Sequence, residues 1–282
     1  MMLDEPLIKL SEEEYCWIRD LIKNYCGIYF DSGSKFLLEK RLSGQVRQHQ
    51  LSSFRDYFYF LKYGRGKAEE LGNIVELLTT NETYFFREDF QLKAFQEEII
   101  PELVATKGRG GKKELRIWSA GCSTGEEPYT LAMLILEGGK FIGWKVEIFA
   151  GDISHRVLKI ARKGVYSRSS FRVTEERYVR KYFEPLDGKL KIKDEVKKLV
   201  NFSHLNLLDA AKIKLLPEMD IIFCRNVLIY FDHQIKRKVV ESFYDLLTTG
   251  GYLLLGHAET LMNVVTSFKL RHFRNDLVYQ KP

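Results

Sequence analysis

The run Ala120-Gly121-Cys122-Ser123-Thr124-Gly125 closes one apolar stretch, LRIWSAG (115–121), and opens a helix-like one, GEEPYTLAMLILEGG (125–139). Glycines in a strand-to-helix turn let the backbone approach a ligand closely. The dinucleotide pattern G-x-G-x-x-G is absent, the spacing here being G-x-x-x-G. The next two residues are Glu126 and Glu127. Carboxylates at a helix N-terminus repel a pyrophosphate and suit a cationic or hydroxyl-bearing ligand. That argues against NAD, FAD and ATP. It favours S-adenosylmethionine, which carries a sulfonium, an ammonium and a ribose diol. The plain alternative is that the two acids only stabilise the helix terminus. Asp152 ends the next apolar run, KVEIFAGDI (145–153), 31 residues after Gly121. An acid at that place accepts both ribose hydroxyls.

The same residues, Gly121 to Gly125, also fit G-x-S-x-G, the nucleophile elbow of α/β hydrolases, with Asp220 and His257 downstream in the required order. Three points oppose this reading. The elbow would lie on the first strand, no HGG-like oxyanion loop precedes it, and two glutamates would oppose a developing negative charge. The four cysteines, Cys16, Cys26, Cys122 and Cys224, contain no C-x-x-C pair. A zinc site and a disulfide framework are therefore not expected, and reduced, buried thiols are.

These residues need a scaffold, and the pattern supplies two regions. Residues 1 to 80 contain one proline, Pro6, and read as an all-α domain. Ser11 and Glu14 form a capping box ahead of a helix whose apolar face repeats at Trp17, Leu21 and Tyr25, with Gly27 as C-cap. Further helices are predicted over 34–48 and 53–63 and in KAEELGNIVELLTTN (67–81). From Gly33 to Lys67 there are eight basic residues against two acids, whereas the rest of this region is acidic. Such a surface is either a solvated face or a dock for an acidic helix or a nucleic acid.

GRGGKK (108–113) reads as a flexible basic linker, after which strands alternate with helices. Strands are predicted over 115–121 and 145–153, within 199–208, from 219, and over 252–259 and 268–281; helices are predicted over 125–139, 154–164 and 232–251. Alternation of this kind makes a doubly wound α/β sheet with its ligand at the carboxyl ends of the strands. Between about 165 and 200 the alternation breaks. A helix-like TEERYVRKYF and an Asp187-Gly188 turn before KLKIK indicate a small antiparallel insertion.

The chain has 282 residues, a net charge of +6, 45% apolar and 13% aromatic residues. It reads as an ordinary folded protein of one large or one large and one small domain, and disorder is not expected. No apolar run approaches the ~20 residues of a membrane span. The acidic start, MMLDEP, is unlike a signal peptide, so a cytoplasmic location is expected.

Five segments, TTNETYFFRE (79–88), WSAGCSTGEEPYT (118–130), GDIS (151–154), NLL (206–208) and FCRNVLIYFD (223–232), resemble, in order, motifs of the chemotaxis-receptor methyltransferases, the CheR family. The resemblance covers nearly the whole chain. It implies a class I S-adenosylmethionine-dependent methyltransferase sheet in residues 81–282, preceded by the helical domain of residues 1–80. It also implies methyl transfer to glutamate side chains in a receptor's helical signalling domain. Carried over by motif, Asn81, Thr83, Arg87, Glu126 and Asp152 are cofactor contacts. Asn206, Leu207, Arg225 and Asn226 fall where the family holds the adenine end and the reacting end.

A glutamate of pKa ~4.3 is already ionised at neutral pH, so such a transfer needs no general base. Alignment and desolvation remain, and a cation and a hydroxyl are wanted to steer the carboxylate. Arg87 and Tyr230 are the candidates, while His257 has no chemical task. Arg41 and Arg47 are placed to dock an acidic receptor helix. In some family members the insertion captures a receptor's C-terminal tail, and the free sheet edge of such an insertion suits that role. A monomer without metal, nucleic acid or membrane insertion is expected. Nucleic acid is disfavoured because CRNVLIYF stands where many base methyltransferases carry an Asn-Pro-Pro-Tyr-type loop.

Overall fold

A computed structural model describes residues 7–79, 81–111, 113–264 and 267–282. Pro6, the acidic start, Thr80 and Lys112 lie outside the described residues. Contacts divide the chain into two units: Met1–Thr80 with Tyr230–Ile235, and Asn81–Ile229 with Lys236–Pro282.

The first unit is built from α1 (Glu12–Cys26), α2 (Lys35–Gln48), α3 (Phe54–Tyr63) and α4 (Lys67–Leu78). The capping box is present: Ser11 Oγ accepts the Glu14 N–H, and the Glu14 carboxylate accepts the Ser11 N–H at 2.9 Å. Gly27 ends α1 at φ 84°, a left-handed value that favours glycine. The inward face of α1 is Tyr15, Ile18, Ile22 and Cys26. Trp17, Leu21 and Tyr25 are only half-buried, so the expected stripe is the flank of the core face. Residues 230–235 join this unit because Phe231 bridges Ile28 and the Tyr29 N–H donates to the Tyr230 carbonyl at 2.8 Å.

The second unit begins with a continuous helical run that periodicity had not resolved. It comprises α5 (Asp89–Ala94), a π-helical turn (Phe95–Ile99) and α6 (Ile100–Arg109). The expected linker is corrected here: Gly108 and Arg109 belong to the last turn of α6, and a turn at Gly110-Gly111 follows. Then come β1 (Glu114–Ala120), α7 (Glu126–Gly138), β2 (Lys145–Asp152) and α8 (His155–Lys163).

The insertion holds β3 (Val165–Tyr166), a 3-10 turn (Arg168–Phe171), α9 (Glu176–Tyr182), β4 (Phe183–Leu186), β5 (Lys189–Ile192) and α10 (Asp194–Lys197). Its strands form an antiparallel sheet in the order β3-β5-β4. Asp187 and Gly188 both have positive φ, 48° and 72°, as a tight primed hairpin turn requires.

The chain ends with β6 (Val200–His204), α11 (Ala210–Ile213), β7 (Met219–Cys224), α12 (His233–Leu246), β8 (Leu247–Leu255), β9 (Lys269–His272) and β10 (Leu277–Gln280). The main sheet runs β6-β2-β1-β7-β8-β10-β9. β6, β2, β1, β7 and β8 are parallel, and β10 and β9 add an antiparallel edge. Two expectations change at this end. Residues 247–251 are strand rather than the tail of a helix, and 256–259 is a loop rather than strand. Segment 268–281 is a two-stranded hairpin.

The strand order reverses between β1 and β7, which opens a crevice at their carboxyl ends. The core flanking it is apolar: Ile117, Ile148, Ile221 and Phe223 of the sheet pack with Leu131 and Leu134 of α7 and Phe95 before α6. All four cysteines are free thiols; Cys26, Cys122 and Cys224 are buried, and burial pushes the Cys26 thiol up to about 12. Among the described residues, no helix is long and apolar enough to cross a membrane.

Candidate active site at the carboxyl ends of the parallel strands

The loop after β1 is strapped to the end of β2, because the N–H groups of Gly121 and Cys122 both donate to the Gly151 carbonyl, at 2.8 and 3.0 Å. Gly121 has φ 81°, and a Cβ there would lie 2.4 Å from Val227 Cγ2. Gly125 caps α7 at φ 93°, where a Cβ would meet Ala161, Tyr166 and Phe202 at 2.9–3.2 Å. Both positions therefore require glycine for conformation and for space. Between them Ser123 sits at φ 49°. Its Oγ is buried and has no hydrogen-bond partner among the described residues.

Asp152 is 8% exposed and its two carboxylate oxygens accept the Ser123 and Ser154 N–H groups at 2.8 and 2.9 Å. The next loop is pinned beside it, since the Leu205 N–H donates to the Asp152 carbonyl at 2.9 Å. There Asn206 turns the chain by accepting the Leu208 N–H on Oδ1, and Leu207 is half-buried. His204, the last residue of β6, stacks at 3.8 Å on His155, the first residue of α8.

Glu126 is 2% exposed and accepts hydroxyls from Thr124 at 2.6 Å and Ser170 at 3.1 Å. Burial pushes its pKa up, and those hydroxyls offset part of the rise. Burial also raises Glu127, against the pull of Arg225 and of the Ser119 hydroxyl. Arg225 is buried between Glu127, at 3.3 Å, and Glu88, at 3.1 Å, and also donates to the Arg87 carbonyl. Its guanidinium therefore ties the loop after β7 to segment 81–88.

Segment 81–88 is itself held against the insertion. Phe85 is fully buried against Tyr166, Phe171 and Phe183, and its N–H donates to the Ser170 carbonyl at 2.9 Å. Phe86 and Glu88 both take left-handed backbone, at φ 60° and 58°. Such strain in bulky residues clusters where surrounding structure fixes a functional group. The residue between them is Arg87, whose guanidinium donates to the Glu82 carbonyl at 2.9 Å and is 29% exposed. Asn81 and Thr83 are half-buried in the same segment.

Asn226, at φ 59°, follows Arg225. The two oxygens of Glu259 accept four backbone N–H groups: Asn226 and Gly256, each at 2.8 Å, Val227 at 2.9 Å and Ile229 at 3.2 Å. Burial raises the Glu259 pKa, and these four bonds counter the rise.

The structure thus places Arg87, Glu126, Asp152, Asn206, Leu207, Arg225 and Asn226 in one unit, with Asn81 and Thr83 on the segment that carries Arg87. Tyr230 falls in the first unit, as do Arg41 and Arg47. Arg41 donates to the Leu77 and Leu78 carbonyls at 3.0 Å and so caps α4; Arg47 is half-buried on α2, and Lys40 is exposed. Glu88, Ser170 and Glu259 escaped the sequence reading. Glu259 had no local signal, because its four partners lie 3 to 33 residues away. The hydrolase reading fails on geometry. Asp220 lies near the amino end of β7, bound to Lys107 at 2.7 Å and to the Arg116 N–H at 2.9 Å, whereas Ser123 follows the carboxyl end of β1.

The donor set fits a ligand with hydroxyls and positive charge. Ser123 Oγ is buried with no partner among the described residues, and the carboxylates of Asp152 and Glu126 both bond the loop that carries it.

A family profile described as "CheR methyltransferase, all-alpha domain" matches residues 13–79, and one described as "CheR methyltransferase, SAM binding domain" matches residues 81–276. The chain is 38% identical over 277 residues to "Chemotaxis protein methyltransferase 2" of Vibrio cholerae, covering 98% of this chain and 95% of that one. It is 37% identical over 258 residues to "Chemotaxis protein methyltransferase" of Borreliella burgdorferi, 90% of each chain. The protein of that name from Salmonella typhimurium is 32% identical over 268 residues, 94% of this chain and 89% of its own. With both profiles met in order and identity sustained along nearly the full length, the chain belongs to the CheR family of chemotaxis methyltransferases, and the unit bearing this site is its S-adenosylmethionine-binding domain.

Proposed function

We propose that the protein transfers the methyl group of S-adenosylmethionine to the side-chain carboxylate of glutamates in chemoreceptor signalling helices, giving glutamyl methyl esters. The observation that supports this most is the pairing, within one unit, of an acidic collar with a partly exposed cation, Arg87. Asp152 ends β2 and Glu126 opens α7, and Arg87 stands on a strained segment joined to Glu126 through Ser170 and to Glu127 through Arg225.

S-adenosylmethionine supplies, when bound, a methyl group already activated by a sulfonium. On this reading Asp152 accepts the ribose hydroxyls, and Ser123 Oγ and Glu126 take further polar groups of the cofactor. Asn206 and Leu207 flank the adenine. Asn81 and Thr83 sit with Arg87 along the cofactor's amino-acid end. Arg87 steers the acceptor carboxylate by charge, and the Tyr230 hydroxyl is assigned to the reacting end from its motif. No proton needs to be removed from an ionised glutamate, so these residues contribute alignment and exclusion of water. Arg41 and Arg47 dock the acidic receptor helix, and the β3-β5-β4 sheet takes an extended receptor tail along its edge. The protein acts in the cytoplasm as a monomer, without a metal.

The test is transfer of label from S-adenosylmethionine into purified receptor cytoplasmic fragments, beside fragments whose candidate glutamates are changed to glutamine. Label should enter the first set and not the second. Equal labelling of both would place the methyl on another group and refute the reading.

A further inference from the structure

We propose that Glu259 is a positioning residue for methyl transfer, fixing the loop from Arg225 to Ile229 in the one conformation that presents the reacting end of the site; this rests on the methyl-transfer reading above. One carboxylate accepts four backbone N–H groups from two separate stretches, Asn226, Val227 and Ile229 on one side and Gly256 on the other. Hydrogen bonds to an ionised acceptor are about twice as strong as neutral ones, so four of them on one group make a rigid joint. The joint has something to resist: Asn226 is held at φ 59°, a left-handed value that relaxes readily once its N–H is freed.

Two contacts carry that geometry onward. Val227 fills the space where a Cβ of Gly121 would stand, so the loop after β7 and the loop after β1 pack directly. Arg225, the preceding residue, holds the Arg87 carbonyl and Glu88. Glu259 therefore sets the loop, the loop sets Arg225, and Arg225 sets the backbone of Arg87. The fit is close from the other side as well, since a Cβ on Gly256 would meet Asn226 N and Nδ2 at 2.9 Å and Glu259 Oε2 at 3.0 Å.

The test is Glu259→Gln in the full chain. Glutamine keeps the shape, but its amide nitrogen faces N–H donors and can no longer accept from them. Hydrogen exchange should show the amides of Asn226, Val227, Ile229 and Gly256 losing protection at least tenfold, with strand amides unchanged. The kcat for labelled methyl transfer should fall at least tenfold, while the KM for S-adenosylmethionine moves less than threefold. Gly256→Ala, which disturbs the same joint and leaves Glu259 in place, should reproduce the split if the Gln variant does not fold. Unchanged protection, or kcat, cofactor affinity and melting temperature falling together, would overturn the proposal. If wild type labels no receptor, the functional reading fails on its own; the exchange arm still decides whether Glu259 holds the loop, and intact protection there would overturn this inference too.

Discussion

Asp152 spends one lone pair of each oxygen on the Ser123 and Ser154 N–H groups, which orient its carboxylate. A hydrogen bond to a charged group contributes ~1.5–3 kcal/mol, so Asp152→Ala should weaken S-adenosylmethionine on the order of 10- to 100-fold. Calorimetry on the folded variant checks this, and unchanged affinity would remove Asp152 from the cofactor site. Arg225 differs in kind. Its guanidinium is sealed between Glu88 and Glu127, so its loss would strip a buried network rather than a ligand contact. That distinction was not legible in the motif, which places Arg225 and Asn226 together. The position of Asp152 at the end of a strand was legible, because the apolar run that precedes it ends there. Glu259 was not, because its work depends on a loop brought back from 30 and more residues earlier.

At the scale of elements, local rules predicted what local forces decide. The capping box at Ser11 and Glu14, the Gly27 cap and the Asp187-Gly188 hairpin are each satisfied within a few residues, and each is where the pattern puts it. Misses came where tertiary packing overrides periodicity. Leu247-Thr248-Thr249 reads as a continuing helix, yet residues 247–255 pair with β7. Residues 89–109 do carry a buried face, Leu92, Phe95, Ile99 and Leu103, packed in the sheet core, but a π-helical turn at Phe95–Ile99 interrupts the regular helical spacing.

Helix α12 offers a pH test. Asp232 stands before its first turn, accepting the Ile235 N–H at 2.9 Å and pairing with Lys23 at 2.5 Å. Burial pushes its carboxyl up, but Lys23 and the backbone bonds outweigh that and hold it below its ordinary value. A depressed folded pKa gives stability that is present above the unfolded value, ~3.9, and is lost as pH falls through the folded one. Asp232→Ala should therefore cost about 1 kcal/mol at neutral pH, as loss of an N-cap acid does, and the gap should close in acid. Denaturant melts at pH 7 and below pH 3 measure it; a gap that persists in acid would mean the carboxylate charge is not its source.

For the whole molecule, the basic stretch from Gly33 to Lys67 gains a more specific meaning. Arg41 is committed to the α4 carbonyls, so Arg41→Ala should lower the stability of the helical unit by about 1 kcal/mol as well as affect docking. Arg47→Ala is the cleaner test of docking. It should raise the KM for receptor and weaken its salt dependence, leaving cofactor binding alone. Normal receptor kinetics at all salt concentrations would move the dock elsewhere. The central claim is the ester. A carboxylate methyl ester is cleaved by base to methanol, whereas methyl groups on amide or amine nitrogen, or on ordinary ether oxygen, are not. Receptor fragments labelled from tritiated S-adenosylmethionine by the wild-type protein should release volatile tritiated methanol at alkaline pH, with the label lost from the protein. Label that enters the receptor but stays bound through the alkaline step would contradict transfer to glutamate.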